Sequence, residues 1–170
     1  MRRVFGAFVA VAASALLAGC ASYRLGTGAA PRFASLYVEP VSNRTLLPQA
    51  QAVLTIRLRE GFIRDGRAAS VNSAGAAAAT LTTVITEYRR DIAAVRADDT
   101  GLARKFNVSL TVACTLREAR TGQLLWDQRP FTATREVFTD SGQLQAEYQV
   151  LPLLAESLSD HIIRAAFDTW

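Results

Sequence analysis

The chain has 170 residues, with 19 Lys and Arg against 15 Asp and Glu, and two cysteines. Two of the cations, Arg2 and Arg3, sit in front of an apolar leader. Beyond residue 19 the balance is 17 against 15, too even to predict a nucleic-acid partner.

The leader reads MRRVFGAFVAVAASALLAGC. The apolar run Val4–Leu17 is 14 residues long, whereas a membrane-spanning helix needs about 20. A basic start, a short apolar middle and small residues at the end make a secretory signal. Leu17-Ala18-Gly19-Cys20 is a bacterial lipobox, which makes Cys20 the first mature residue and the lipidated one. A thiolate is the side-chain nucleophile suited to a thioether with diacylglycerol. Each buried methylene adds about 0.8 kcal/mol, and two or more chains anchor stably. Ala21 follows where an aspartate commonly marks inner-membrane retention, so the expected location is the outer membrane, facing the periplasm. With Cys20 acylated, only Cys114 remains, and no intramolecular disulfide is possible even in an oxidising compartment.

The chain therefore divides into a lipoprotein signal peptide (1–19), a lipidated tether rich in Gly and small residues (20–31) and one domain (32–170). RFASLYVEPV (32–41) is rich in β-formers and closes at Pro40. The next stretch changes period. Ala50, Leu54, Leu58, Gly61 and Phe62 recur at helical spacing, with Val53 widening the stripe. Pro48 suits the start and Asp65-Gly66 the stop, and Arg57, Arg59 and Arg64 lie off the stripe. AASVN (68–72) is a candidate short strand before the loop SAGAAAA.

TLTTVITEYRR (80–90) begins a long strand, and ADDTG (97–101) turns the chain. KFNVSLTVACTLREA (105–119) is the cleanest alternation. Phe106, Val108, Leu110, Val112, Cys114 and Leu116 point one way; Asn107, Ser109, Thr111, Thr115 and Arg117 point the other. Cys114 reads as a small buried hydrophobe. Thr121-Gly122 turns into a third strand, QLLWDQRPFTATREVFT (123–139). The last helix is expected over 152–170, with Leu154, Leu158, Ile162 and Ala165 on one stripe, and with Pro152 as a kink if it starts earlier. The expected fold class is α+β, a two-layer sandwich: two helices on one face of a mostly antiparallel four-stranded sheet, ordered β-α-β-β-β-α.

Catalytic constellations are hard to find. Asp99-Thr100-Gly101 and Asp140-Ser141-Gly142 resemble the paired triplets of aspartic proteases. No apolar strand leads into either, and both read as Asx-type turns. His161 lacks the second histidine of a zincin pair. There is no Gly-x-Ser-x-Gly elbow, Walker loop or Cys/His cluster. No enzyme activity, metal or cofactor is expected. What stands out is a basic cluster at the first long hairpin: Arg89, Arg90, Arg96, Arg104 and Lys105. Such charges can simply solvate a loop and guard strand edges. They can also receive a phosphorylated, acylated ligand, with cations for phosphate and an apolar sheet face for acyl chains.

Several stretches together carry a resemblance. A lipobox closely followed by Tyr23-Arg24-Leu25-Gly26, then LYVEPVSNRT (36–45), LREGFIRDG (58–66), FNVSLTVACTLREARTGQLLW (106–126) and a helix closing on a tryptophan resemble the lipopolysaccharide-assembly lipoprotein family, LptE. The resemblance covers nearly the whole mature chain. It implies two helices against a four-stranded sheet. It also implies a partner, a large outer-membrane β-barrel (LptD-like) in whose lumen the lipoprotein sits as a plug, and lipopolysaccharide as ligand. Basic residues by the turn between the two long central strands bind ligand in the family, which points to Arg96, and with it Arg104 and Lys105. Residues 139–151 hold no lysine or arginine, so a second basic ligand site there is not expected. VEPVSNRT followed by a helix also resembles lipoproteins that activate cell-wall synthases or build secretion complexes, the alternative function.

Overall fold

The computed structural model describes residues 32–95, 103–138 and 143–167. In chain order the elements are β1 (Ser35–Val38), β2 (Ser42–Asn43), α1 (Gln49–Asp65), β3 (Ala69–Ser70), β4 (Ala79–Val95), β5 (Ala103–Glu118), β6 (Leu124–Phe138) and α2 (Gln143–Phe167). A single 3-10 turn, Ala74–Ala76, precedes β4.

The first helix follows its sequence pattern residue by residue. Ala50, Leu54, Leu58, Gly61 and Phe62 are its buried positions, and Gly66 ends it at φ 70° with its N–H donating to the Phe62 carbonyl. Only glycine takes that left-handed conformation without a steric cost. Burying each leucine of the stripe contributes about 1.5–3 kcal/mol. The off-stripe arginines find separate uses: Arg57 pairs with Glu60 at 3.1 Å, and Arg59 donates to the Val38 carbonyl at 3.1–3.3 Å.

β5 carries the core. Phe106, Val108, Leu110, Val112, Cys114 and Leu116 are all buried, as their alternation predicts. They face Ile85, Leu81 and Tyr88 on β4 and Ala133 and Val137 on β6, all antiparallel neighbours. Leu54 and Leu58 of α1 and Leu154, Leu158 and Ile162 of α2 close over them in one apolar cluster. Cys114 is buried with its Sγ 3.6 Å from Thr83 Oγ1, and burial pushes its thiol up to about 11.

One expectation needs correction. The sheet is mixed and has six strands, ordered β3-β1-β4-β5-β6 with β2 also on β4, not four mostly antiparallel strands. β1 pairs parallel with β3 and with β4, and β2 pairs parallel with β4. The reason is topological: β1 leads through α1 to β3 and then β4, and a strand-helix-strand crossover returns the chain in the same direction. β2 continues the line of β1 after a break at Pro40, which has no N–H for the ladder. β3 falls within the candidate strand 68–72, whereas a two-residue strand such as β2 has no periodicity to read.

The last helix starts nine residues before Pro152, at Gln143. This is the earlier start that the sequence leaves open, with Pro152 inside the helix. The buried stripe ends on Ala166, with Ala165 half-buried.

Candidate functional site

The long β4–β5 hairpin places part of the basic cluster at one end of the sheet. Ile92 lies opposite Phe106, Ala94 opposite Lys105 and Val95 opposite Ala103. Two register slips occur within these last pairs, which increases local twist at the tip. Arg96 and the whole turn 97–101 lie outside the described residues, as do Cys20 and both Asp-[Ser/Thr]-Gly triplets. Arg104 belongs to β5.

Lys105 is engaged rather than free. Its Nζ stands 2.6 Å from Glu136 Oε1 and 5.7 Å from the centre of the Phe138 ring, both on β6. Arg89 pairs with Glu87 at 2.9 Å, mostly in solvent, where such pairs contribute at most about 1 kcal/mol. Arg90 holds its guanidinium 5.4 Å over the Phe106 ring. The cluster is therefore split between the two faces of the hairpin. Lys105 alternates with Phe106 and so leaves the core side, whereas Arg90, paired with Val108, stays on it.

An apolar strip that sequence patterning alone did not mark runs beside Arg90. Ile92, Phe106 and Val137 lie in register across three strands on the helix-bearing side. Phe106 and Val137 are buried, but Ile92 is 65% exposed. Phe138, also open to solvent at 55%, flanks the strip from the other face. The tip thus combines cations with open apolar surface, the two requirements for an anionic amphiphile. The signal that would have found it is the continuation of the β5 alternation onto its neighbours.

Elsewhere, His161 is exposed on α2. A shallow pocket lies between the C-terminal turns of the helices, lined by Gly61, Arg64, Asp65, Asp160, Ile163 and Arg164. Asp65 in it is held below the usual carboxylate range by its hydrogen bonds from Arg67. Among the described residues no three His, Cys, Asp or Glu side chains converge as metal ligands. No helix there is long and apolar enough to cross a membrane.

Solved structures share this fold at low sequence identity. An uncharacterized lipoprotein B from Nitrosomonas europaea is 18% identical, covering 85% of this chain and 88% of its own, with a TM-score of 0.54. A minor lipoprotein from Acinetobacter baumannii is 18% identical over 80% of this chain and 92% of its own, TM-score 0.53. A PelC dodecamer from Paraburkholderia phytofirmans is 19% identical over 86% and 97%, TM-score 0.51. No curated protein matches the chain in sequence. A family model described as lipopolysaccharide-assembly, LptE, matches residues 33–166, from the residues before β1 to the last turn of α2. The chain belongs to the LptE family of lipopolysaccharide-assembly proteins.

Proposed function

We propose that this chain is a non-enzymatic outer-membrane lipoprotein that partners and plugs an LptD-like β-barrel and binds lipopolysaccharide to assist its delivery to the outer leaflet. The match of the whole folded domain to the lipopolysaccharide-assembly family carries this reading. The lipobox ending in Cys20 supports anchoring from the periplasmic side. Lipopolysaccharide combines phosphates with acyl chains. The hairpin offers Arg96, Arg104 and Lys105 in sequence, with open apolar surface at Ile92 and at Phe138, whose ring centre lies 5.7 Å from Lys105.

A second reading has one specific observation behind it. The PelC structure of the same fold is a dodecamer, which favours a lipoprotein assembling with copies of itself. A single experiment separates the two. The lipoprotein is extracted in detergent with an affinity tag and its stoichiometric partner is identified. A large outer-membrane barrel supports the proposal. A homo-oligomeric ring or a cell-wall synthase in its place overturns it.

A further inference from the structure

At the opposite end of the sheet the edge strand carries a second cation, set on aromatic rings. Trp126 lies opposite Leu116, Arg129 opposite Cys114 and Phe131 opposite Val112, all on the helix-bearing side. Between Trp126 and Arg129 the strand bulges: the register slips, and Gln128 takes φ 47°, a left-handed conformation that side chains rarely adopt. The bulge seats the Arg129 guanidinium 5.2 Å from the Trp126 ring centre and 5.3 Å from that of Phe131. The two rings stand 5.6 Å apart, tilted by 51°. Both are half-buried against the core, whereas residues 127–130 are exposed. Among the described residues no carboxylate pairs with Arg129, although Asp127 is two residues away.

Edge protection accounts for part of this. Pro130 and charged neighbours discourage another strand from adding to β6. A guarding arginine needs neither an aromatic bed nor a strained bulge to present it. A guanidinium set against two rings has already lost much of its rotamer freedom. It is a preorganised receptor for a carboxylate or phosphate. The two half-buried rings form an apolar ledge beside it. Asp127 and Gln128 supply acceptors and donors on the bulge itself.

We propose that Trp126, Arg129 and Phe131 form a binding site for an acidic saccharide, a pyranose bearing a carboxylate or a phosphate. The C–H face of the sugar rests on the aromatic ledge and its acid group meets Arg129. Arg129, opposite Cys114, lies about 30 Å along β5 from Lys105, and the site does not rest on the reading of the hairpin tip.

The test uses the full chain in detergent with Trp170→Phe, which leaves Trp126 as the only tryptophan. Its emission is followed during titration with glucuronate, glucose 6-phosphate, glucose and inorganic phosphate. The first two distinguish a uronic acid from a phosphorylated sugar. At least one of them is expected to shift the emission saturably, binding about tenfold or more tighter than glucose or phosphate alone. Arg129→Gln should weaken that binding by about tenfold at unchanged melting temperature, and Arg129→Lys should restore only part. Inorganic phosphate or glucose binding as tightly as the acidic sugar overturns the proposal, as does an absence of saturation with both. Wild-type binding by Arg129→Gln also overturns it. Loss of the barrel partner would leave these titrations unmoved, so the two readings fail separately.

Discussion

Gly61 of α1 packs so closely on Ser159 of α2 that a β-carbon at Gly61 would stand 2.4 Å from Ser159 Oγ. The Ser159 hydroxyl is itself held in place, donating to the Arg57 carbonyl at 3.0 Å. Ile163 Cδ1 lies 2.6 Å from the same point. Alanine is the better helix former by about 1 kcal/mol, yet here it meets a fixed hydroxyl. Gly61→Ala should therefore destabilise, and Gly61→Val should cost about 1–3 kcal/mol. Ser159→Ala in the Gly61→Ala background should recover part of the loss, and a double-mutant cycle by thermal melts measures it. A raised melting temperature for Gly61→Ala alone would contradict the close approach.

Leu110 and Thr111 are neighbours with opposite fates. Leu110 is fully buried between Tyr88 and Ala133, while Thr111 shares a hydroxyl contact with Thr132 at 3.0 Å on the open face. Leu110→Asp places an unpaired charge in the core and should unfold a domain whose total stability is about 5–15 kcal/mol. Thr111→Asp should cost no more than about 1 kcal/mol. Circular-dichroism melts check the order, and its reversal would mean a register displaced by one residue.

The raised thiol of Cys114 makes a prediction about alkaline pH. Its ordinary value is 9.0 and burial pushes it up to about 11, against a smaller opposing effect of the Thr83 hydrogen bond. Below pH 9 both folded and unfolded chains hold the proton, and the thiol contributes no pH dependence. Between pH 9 and about 11 the unfolded chain loses the proton first, so stability falls as pH rises, by up to about 2–3 kcal/mol. Cys114→Ala should show a shallower decline than wild type across that window in denaturant titrations. Equal slopes would mean that the buried thiol ionises as readily as an exposed one.

Cys20→Ser should leave the protein without its lipid and absent from outer-membrane fractions. Labelling with a palmitate analogue reads this directly, and label persisting on the variant would falsify the lipobox assignment. The domain itself should still melt normally, because its described core begins at Phe33.

At the hairpin tip, Arg96→Gln with Arg104→Gln should weaken lipopolysaccharide binding at least about tenfold, given about 1.5–3 kcal/mol for each charge-assisted contact. Lys105→Gln should do less, because Lys105 already pairs with Glu136. Glu136→Gln, which releases that lysine, should tighten binding. A titration on folded variants decides; a double mutant that binds as wild type returns the cluster to loop solvation.

Local regularities are legible in the sequence itself. The stripe of α1, the alternation of β5, the stop at Gly66 and the burial of Cys114 each depend on residues whose partners lie within one turn or two positions along the chain. Periodicities of 3.6 and 2 therefore expose them. The tertiary structure decided everything that depends on pairing across sequence. β2 is two residues long and exists only because β4 offers it free backbone groups. Lys105 is bound to Glu136, 31 residues onward, by the β5–β6 register. Trp126, Arg129 and Phe131 read as an ordinary strand with a proline in it until a bulge brings the arginine within 5.2–5.3 Å of both ring centres. The glycine of α1 counted simply as one more small stripe residue, because the contact that requires it comes from a helix about a hundred positions away. Side-chain period is a property of one segment, whereas register, bulges and close approach belong to pairs of segments brought together only by folding.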